Sequence, residues 1–454
     1  MKPGTLWGTG AALDPAVFAY TVAADRPWDA RLLEWDILGS LGHVEGLRAA
    51  GLLTASEQRR LSAGLRAALA AARAGELESG PADEDVHTAV EQWLTGRDPE
   101  AGPRLHAGRS RNEQVACDVR LYLKHHLLAI HGSAVGLAKA LLAFAARHRS
   151  AVWPGYTHLR RAMPSSAGLW SAAWAEGVIE TLEALPALWA QVDRSPLGTG
   201  AGYGVPVPLP RERVAKALGF RGVVTTAAAV QNGRGKLEAA ALAWCAQLGH
   251  DAGRLASDAI LYGSEEFGFL VLPGRLATGS SLMPQKRNPD VLELTRARAA
   301  ALDGDLATVH HLKANLTGGY HRDYQLLKEP LMRGLDRTLE MTSMLAEIVP
   351  ALGVDRGRAR AALMDGILAT DEVMRRVEEG APFRSAYREV AAEVAEGARF
   401  PAPTVAELLA RRRSTGGLGA LGLDQLRARL RGCARWAAAE RRRFDTAIRR
   451  LARP

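Results

Sequence analysis

The chain has 454 residues, 47% hydrophobic and 24% charged, with a formal net charge of +9. Its length exceeds what one compact core usually fills, so two or three domains are expected. No apolar run reaches the roughly 18 residues of a membrane span, residues 1–8 lack the apolar stretch of a secretory signal, and Cys117, Cys245 and Cys433 are too few and too widely spaced for a disulfide framework or a zinc site.

These features point to a soluble, cytoplasmic protein with reduced cysteines and no membrane partner. The basic balance fits nucleic acid or anionic small molecules equally well.

In chain order, Leu33, Ile37 and Leu41 recur at steps of four and predict an amphipathic helix over 30–41. A second helix starts near Thr54 and continues through Leu61, Leu65 and Leu69. The stretch 81–91, opening on Pro81, sets Asp83, Glu84 and Asp85 before a helical run; read alone, it is a solvated helix N-terminus. From residue 105 the periodicity lengthens. Val115, Val119, Leu123, Leu127, Ile130, Ala134, Leu137, Leu141 and Phe144 recur at steps of three and four, and similar patterns cover 165–192, 236–262, 290–312 and 326–348.

Five long helices imply a bundle. After residue 350 the segments shorten around Pro382, Pro401 and Pro403, with one amphipathic piece at 384–396. The end, from Arg427, interleaves Arg429, Arg431, Arg435, Arg441, Arg442, Arg443, Arg449, Arg450 and Arg453 with apolar residues, which reads as a solvated basic helix face, nucleic-acid contact being the lesser reading. The expected fold class is all-α: an elongated central bundle (105–350) flanked by two smaller, mainly helical domains (1–104 and 351–454).

Four polar islands interrupt this pattern. In 278–290, small residues at Gly279, Ser280 and Ser281 let backbone amides approach an anion, and Lys286 and Asn288 add a cation and an amide. Asp290 and Glu293 then fall in the first turn of a helix, where the macrodipole favours acids. In 105–114, Gly108 precedes Arg109, Ser110, Arg111 and Asn112 at a helix start, a composition suited to an anion. In 153–164, Thr157 and His158 follow a Pro154-Gly155 turn, and 318–330 is unusually polar for a link between bundle helices. Each, taken singly, also reads as an ordinary loop or cap.

Together the islands resemble the fumarase/aspartase superfamily and, within it, the argininosuccinate lyase family. Residues 279–293 match the signature GSSxMPxKxNPxxxE. Gly108 to Gln114 are similar to GRSRNDQ with Glu113 for Asp; Pro154 to Leu159 to PGYTHLQ with Arg160 for Gln; Glu84 to His87 to EDxH. Tyr320, Asp323, Gln325, Lys328, Glu329 and Pro330 fall on YNxDLQxDKEP. Weaker likeness runs from Leu6-Trp7-Gly8 to Arg413-Ser414-Thr415-Gly416-Gly417.

The resemblance implies reversible β-elimination of an N-substituted aspartate to fumarate and an amine. It makes Ser280 the base, Lys286 and Asn288 the ligands of the carboxylate that gains charge, and His158 the proton donor to the leaving group, paired with Glu293. It assigns Ser110, Asn112 and Thr157 to the succinyl end, Tyr320, Gln325 and Lys328 to the amino-acid end, Asp85 to the guanidinium, and Arg111 to substrate binding. It further implies a homotetramer whose active sites draw loops from three subunits, and no metal or organic cofactor. The chain departs from the family pattern at Arg160 and over 225–234, where the usual acids are missing and Arg234 stands one position displaced.

Overall fold

The computed structural model describes residues 14–80, 83–400 and 403–453. The likeness at Leu6-Trp7-Gly8, the start of the acidic stretch at Pro81 and the break at Pro401 lie outside the described residues. The fold is mainly helical, as the periodicity predicts. Helices α1 (Leu33–Ala49), α2 (Ala55–Arg73) and α3 (Val86–Arg97) precede the long bundle helices. At α2, Thr54 and Glu57 form a reciprocal capping box, each satisfying a backbone amide of the first turn.

The bundle consists of α4 (Arg111–Arg147), α5 (Ala167–Val192), α6 (Lys236–Tyr262), α7 (Asp290–Leu312) and α8 (Lys328–Ile348); the last four lie within two residues of the ranges read from the sequence, while α4 extends beyond the periodic run from Val115 to Phe144 at both ends. Its directions alternate. Gly235, ahead of α6, lies against Lys313 just beyond the end of α7. Asp305 of α7 takes Arg333 and Arg337 of α8, and Ser133 of α4 bonds Thr342 of α8 at 2.9 Å.

One end of the bundle therefore gathers the starts of α4, α6 and α8, and the other gathers the starts of α5 and α7. With 27 residues, α6 separates the two ends by about 40 Å at 1.5 Å per residue. Helix α4 is long and apolar enough to cross a bilayer, but most of its apolar stretch is buried by its neighbours, as in a bundle core.

The Arg-rich segment forms α9 (Leu423–Ala452), which packs along α4, α5 and α1. Leu426, Leu430, Cys433, Ala437, Phe444 and Leu451 form its buried stripe and join the main hydrophobic core. Two of its arginines are anchored: Arg429 bonds Glu183 and Glu176, and Arg443 donates to the Gly219 carbonyl at 2.8 Å. Beneath them Lys124, fully buried, bonds Asp193 at 2.5 Å and the Gly219 carbonyl at 2.6 Å. All three cysteines are buried.

Strand content is small. A hairpin of β1 (Val152–Thr157) and β2 (Arg160–Ser166) links α4 to α5, where the sequence shows only a Pro-bracketed turn. Trp153, Tyr156, Trp170, Tyr262, Phe267 and Phe269 form an aromatic cluster that pins the hairpin to the start of α5 and the end of α6.

Candidate active site

The sequence-derived residues fall into two groups, one at each end of the bundle. The first lines a cavity of about 160 Å³ formed by Asp25, Asp29, Glu84, Asp85, Arg111, Asn112, Val115, Arg234, Tyr320, Arg322, Tyr324, Gln325 and Lys328. Ser110 opens this wall as the N-cap of α4, its Oγ accepting the Asn112 amide at 3.3 Å. Glu113 completes the capping box through the Ser110 amide and reaches across to accept the amides of Thr199 (2.5 Å) and Gly200 (2.8 Å). The carboxylate thereby ties the start of α4 to the 196–201 loop, with no partner left for a ligand.

Arg111 bonds Glu84 at 2.8 Å and Thr88 Oγ1 at 3.0 Å, and lies 3.4 Å from Asp85. Asp85 caps α3 by accepting the Thr88 amide at 2.8 Å. Glu84 and Asp85 are thus engaged with this cavity rather than simply solvated. Lys328 lies between Asp25 (2.5 Å) and Asp29 (2.6 Å). Burial, added to by Asp29, lifts the Asp25 carboxyl to about 6 although Lys328 opposes the shift. At Asp29 the cost of burial is outweighed by Lys328 and His87, so its carboxyl sits below the usual range. Gln325 donates to the Thr21 carbonyl at 2.8 Å.

Arg234, which the sequence places one position off the family's arginine, lines this wall. It is buried, its Nε donates to Glu238 at 3.0 Å, its guanidinium stands 5.6 Å from the Tyr324 ring, and Nη1 has no partner among the described residues. Gly235, at φ 76°, turns the chain into α6 here; a side chain at that position would collide with Lys313. The divergent 225–234 segment forms a short helix, Ala227–Asn232, that supports the cavity, Asn232 accepting the Gly319 amide at 2.9 Å. Asp25 and Asp29 are additions to the residues listed from the sequence; both bond Lys328, about 300 residues away.

Under this cavity Asp36, His87 and Asp118 form a buried trio. His87 Nδ1 is 2.8 Å from Asp36 Oδ1 and 4.0 Å from Asp118 Oδ2, and Gln114 donates to Asp36 at 3.2 Å. Burial disfavours the imidazolium, but Asp36 outweighs it and raises His87 to about 9. Burial and the charge of Asp36 push Asp118 well above the usual carboxylate range. These three offer the cluster of metal-type donors found among the described residues, although the His87–Asp36 hydrogen bond already occupies the facing donor atoms.

The second group sits at the opposite end. His158 and Leu159 form the two-residue tip of the hairpin, both in the left-handed region at φ 54° and 56°. This is the backbone of a tight turn that glycine or asparagine normally occupies, so the tip holds two side chains outward at a cost in strain. Thr157 and His158 are exposed, and Leu159 is 80% exposed.

Nearby, the 278–290 loop is closed at its base by Thr278 and Asn288, whose backbones pair at 3.1 and 2.9 Å. Ser280 Oγ accepts the amides of Met283 (3.1 Å) and Leu282 (3.3 Å). Two donors on one hydroxyl oxygen favour its anionic form. Lys286 is exposed, Asn288 donates to the Gly279 carbonyl at 3.4 Å, and Asp290 and Glu293 occupy the first turn of α7. Among the described residues no ion pair joins Glu293 to His158 within the chain. Neither this loop nor the hairpin tip contributes to the 160 Å³ cavity.

The family model described as "Lyase" matches residues 20–304. The chain belongs to the lyase family. Among curated relatives of this lyase, an argininosuccinate lyase of Sorangium cellulosum is 44% identical over 94% of the chain and 98% of its own length. Another, from Thermotoga neapolitana, is 40% identical over 85% and 97%. Among solved structures, an EDDS lyase in complex with formate superposes with a TM-score of 0.82 at 24% identity, covering 97% of this chain and 95% of that one, a likeness of fold.

Proposed function

We propose that the protein is an argininosuccinate lyase, splitting argininosuccinate reversibly into arginine and fumarate. The observation that carries the reading is the 279–293 loop, where a serine hydroxyl accepting two amides is followed by a lysine, an asparagine and a helix-start glutamate.

Ser280 takes the proton from the carbon beside the succinyl carboxylate. The electron pair moves into that carboxylate, and Lys286 and Asn288 stabilise the dianion formed. Collapse of the dianion forms the fumarate double bond and breaks the C–N bond. The departing guanidinium nitrogen receives a proton from His158, which Glu293 keeps charged. Ser110, Asn112 and Thr157 hold the succinyl end, and Arg111 binds the substrate.

Because the two groups of residues lie about 40 Å apart along α6, a single chain does not close one site. The working unit is a homotetramer in which the cavity of one subunit receives the serine loop and the histidine tip of others. The small-molecule substrate, an N-succinyl amino acid, and a cytoplasmic setting complete the reading.

The departures at Arg160 and 225–234 favour a second reading, a related C–N lyase that releases fumarate from another N-substituted aspartate. Fumarate absorbance on incubating the purified protein with argininosuccinate and a panel of N-succinyl amines separates them. The expected result is fumarate from argininosuccinate, reduced by roughly 10²- to 10⁴-fold in Ser280→Ala. Fumarate only from other amines sinks the first reading; full activity in Ser280→Ala removes the serine base.

A further inference from the structure

Helices α4 and α9 enclose a groove of about 580 Å³ with an apolar floor built from Leu142, Leu430, Ala434 and Ala438. Lys139 stands on the α4 rim. On the α9 rim Arg427, Arg431 and Arg435 follow one another at steps of four, so their charges repeat about every 6 Å. No acid is among the residues that line the groove, and none of them belongs to the cavity, the serine loop or the hairpin tip. Arg427 bonds Asp424 at 3.0 Å. Lys139, Arg431 and Arg435 are exposed and have no carboxylate partner among the described residues, whereas Arg429 of the same helix is held by Glu183 and Glu176. Like charges one turn apart disfavour a helix, and an apolar trough between them is costly to leave in water.

We propose that this groove is the docking site for an acidic amphipathic helix of a partner protein. The partner's apolar face lies on the floor, and its Asp and Glu flanks meet Arg431, Arg435 and Lys139. Charge complementarity selects this occupant. A helix presents acids at the same one-turn spacing as the arginines, whereas an acyl chain brings one carboxylate to four cations. The Leu and Ala side chains of the floor give a nucleic acid no ring to stack a base on and no donor to a phosphate. The Arg-rich segment thereby acquires a role that the elimination chemistry does not use.

The test is fluorescence anisotropy of the whole protein with a labelled peptide of about three heptads, Leu at positions a and d and Glu at e and g, where like charges keep it from pairing with itself. A scrambled peptide of the same composition, dodecanoate and duplex DNA are the comparison ligands. The proteins are wild type, Arg431→Glu/Arg435→Glu, which reverses one rim, and Ala438→Trp, which fills the trough. Circular dichroism and the thermal midpoint report whether each variant folds, and fumarate release should stay at the wild-type level in both.

The expected result is saturable binding of the Leu/Glu peptide to wild type with a Kd below roughly 100 μM, weakened about 10-fold or more in each variant and by high salt. No binding to wild type, equal binding of the scrambled peptide, or full affinity in either variant that folds overturns the proposal. Dodecanoate or DNA bound in the peptide's place with the same dependence on the variants makes the groove an acyl or nucleic-acid site and overturns it. A larger assembly of the peptide-free protein on size exclusion, abolished by either variant, makes a second copy the occupant and overturns it as well.

Discussion

His87 shows how a polar group far from bulk water can steady a binding wall. Its imidazolium is fixed by Asp36 at 2.8 Å, and it adds positive charge beneath Asp29 and Asp85. A histidine whose folded pKa rises from 6.5 to about 9 contributes stability that is complete below pH 6.5 and disappears as the pH rises through about 9. At the acid limit, Asp36 has a lowered pKa, so its share is present above the unfolded value and lost as the pH falls through the folded one. Urea unfolding of wild type and His87→Gln should therefore show the widest gap on the acid side of pH 6.5, before Asp36 titrates, narrowing steadily toward pH 9. A gap that does not change with pH would mean that the pair contributes only packing.

At the scale of elements, the hairpin tip carries the most strain per residue described. Leu159 adopts φ 56° with little packing to justify it, and a leucine there costs about 1–2 kcal/mol relative to glycine. Leu159→Gly should hold or raise the denaturation midpoint, whereas Leu159→Val, whose branched side chain resists the left-handed region, should lower it. Equal midpoints in all three proteins would show that the turn relaxes in solution.

The legibility of the chain divides along similar lines. The five bundle helices were readable because their apolar residues recur at steps of three and four over 21 to 37 residues, and caps such as Thr54 with Glu57 are local. The hairpin was not, since each strand carries a proline, Pro154 and Pro164, and the tip lacks the glycine or asparagine that marks such turns. The site motifs were readable as strings, Ser280 and its neighbours above all. Asp25 and Asp29 were not assigned, because their roles come from Lys328, brought near by folding. The Arg-rich segment presents Arg431, Arg435, Arg442, Arg449 and Arg450 to solvent, as the sequence reading has it, while its periodic Leu, Cys and Phe residues form a buried stripe and Arg429 and Arg443 tie it down.

Across the whole molecule, the alternating helix directions set the cavity and the serine loop at opposite ends of a rod. One consequence concerns inheritance of damage in mixed populations. On the proposed shared site, a chain with Ser280→Ala keeps an intact cavity and a chain with Arg111→Met keeps an intact loop, so each alone should show strongly reduced activity while carrying what the other lacks. Co-expressed in one cell, the two should assemble into hybrids in which some sites receive both sound parts, and measurable fumarate release should return. Two variants damaged at the same end should stay silent when mixed. In such a protein, the harm done by a second allele depends on which end of the rod it strikes.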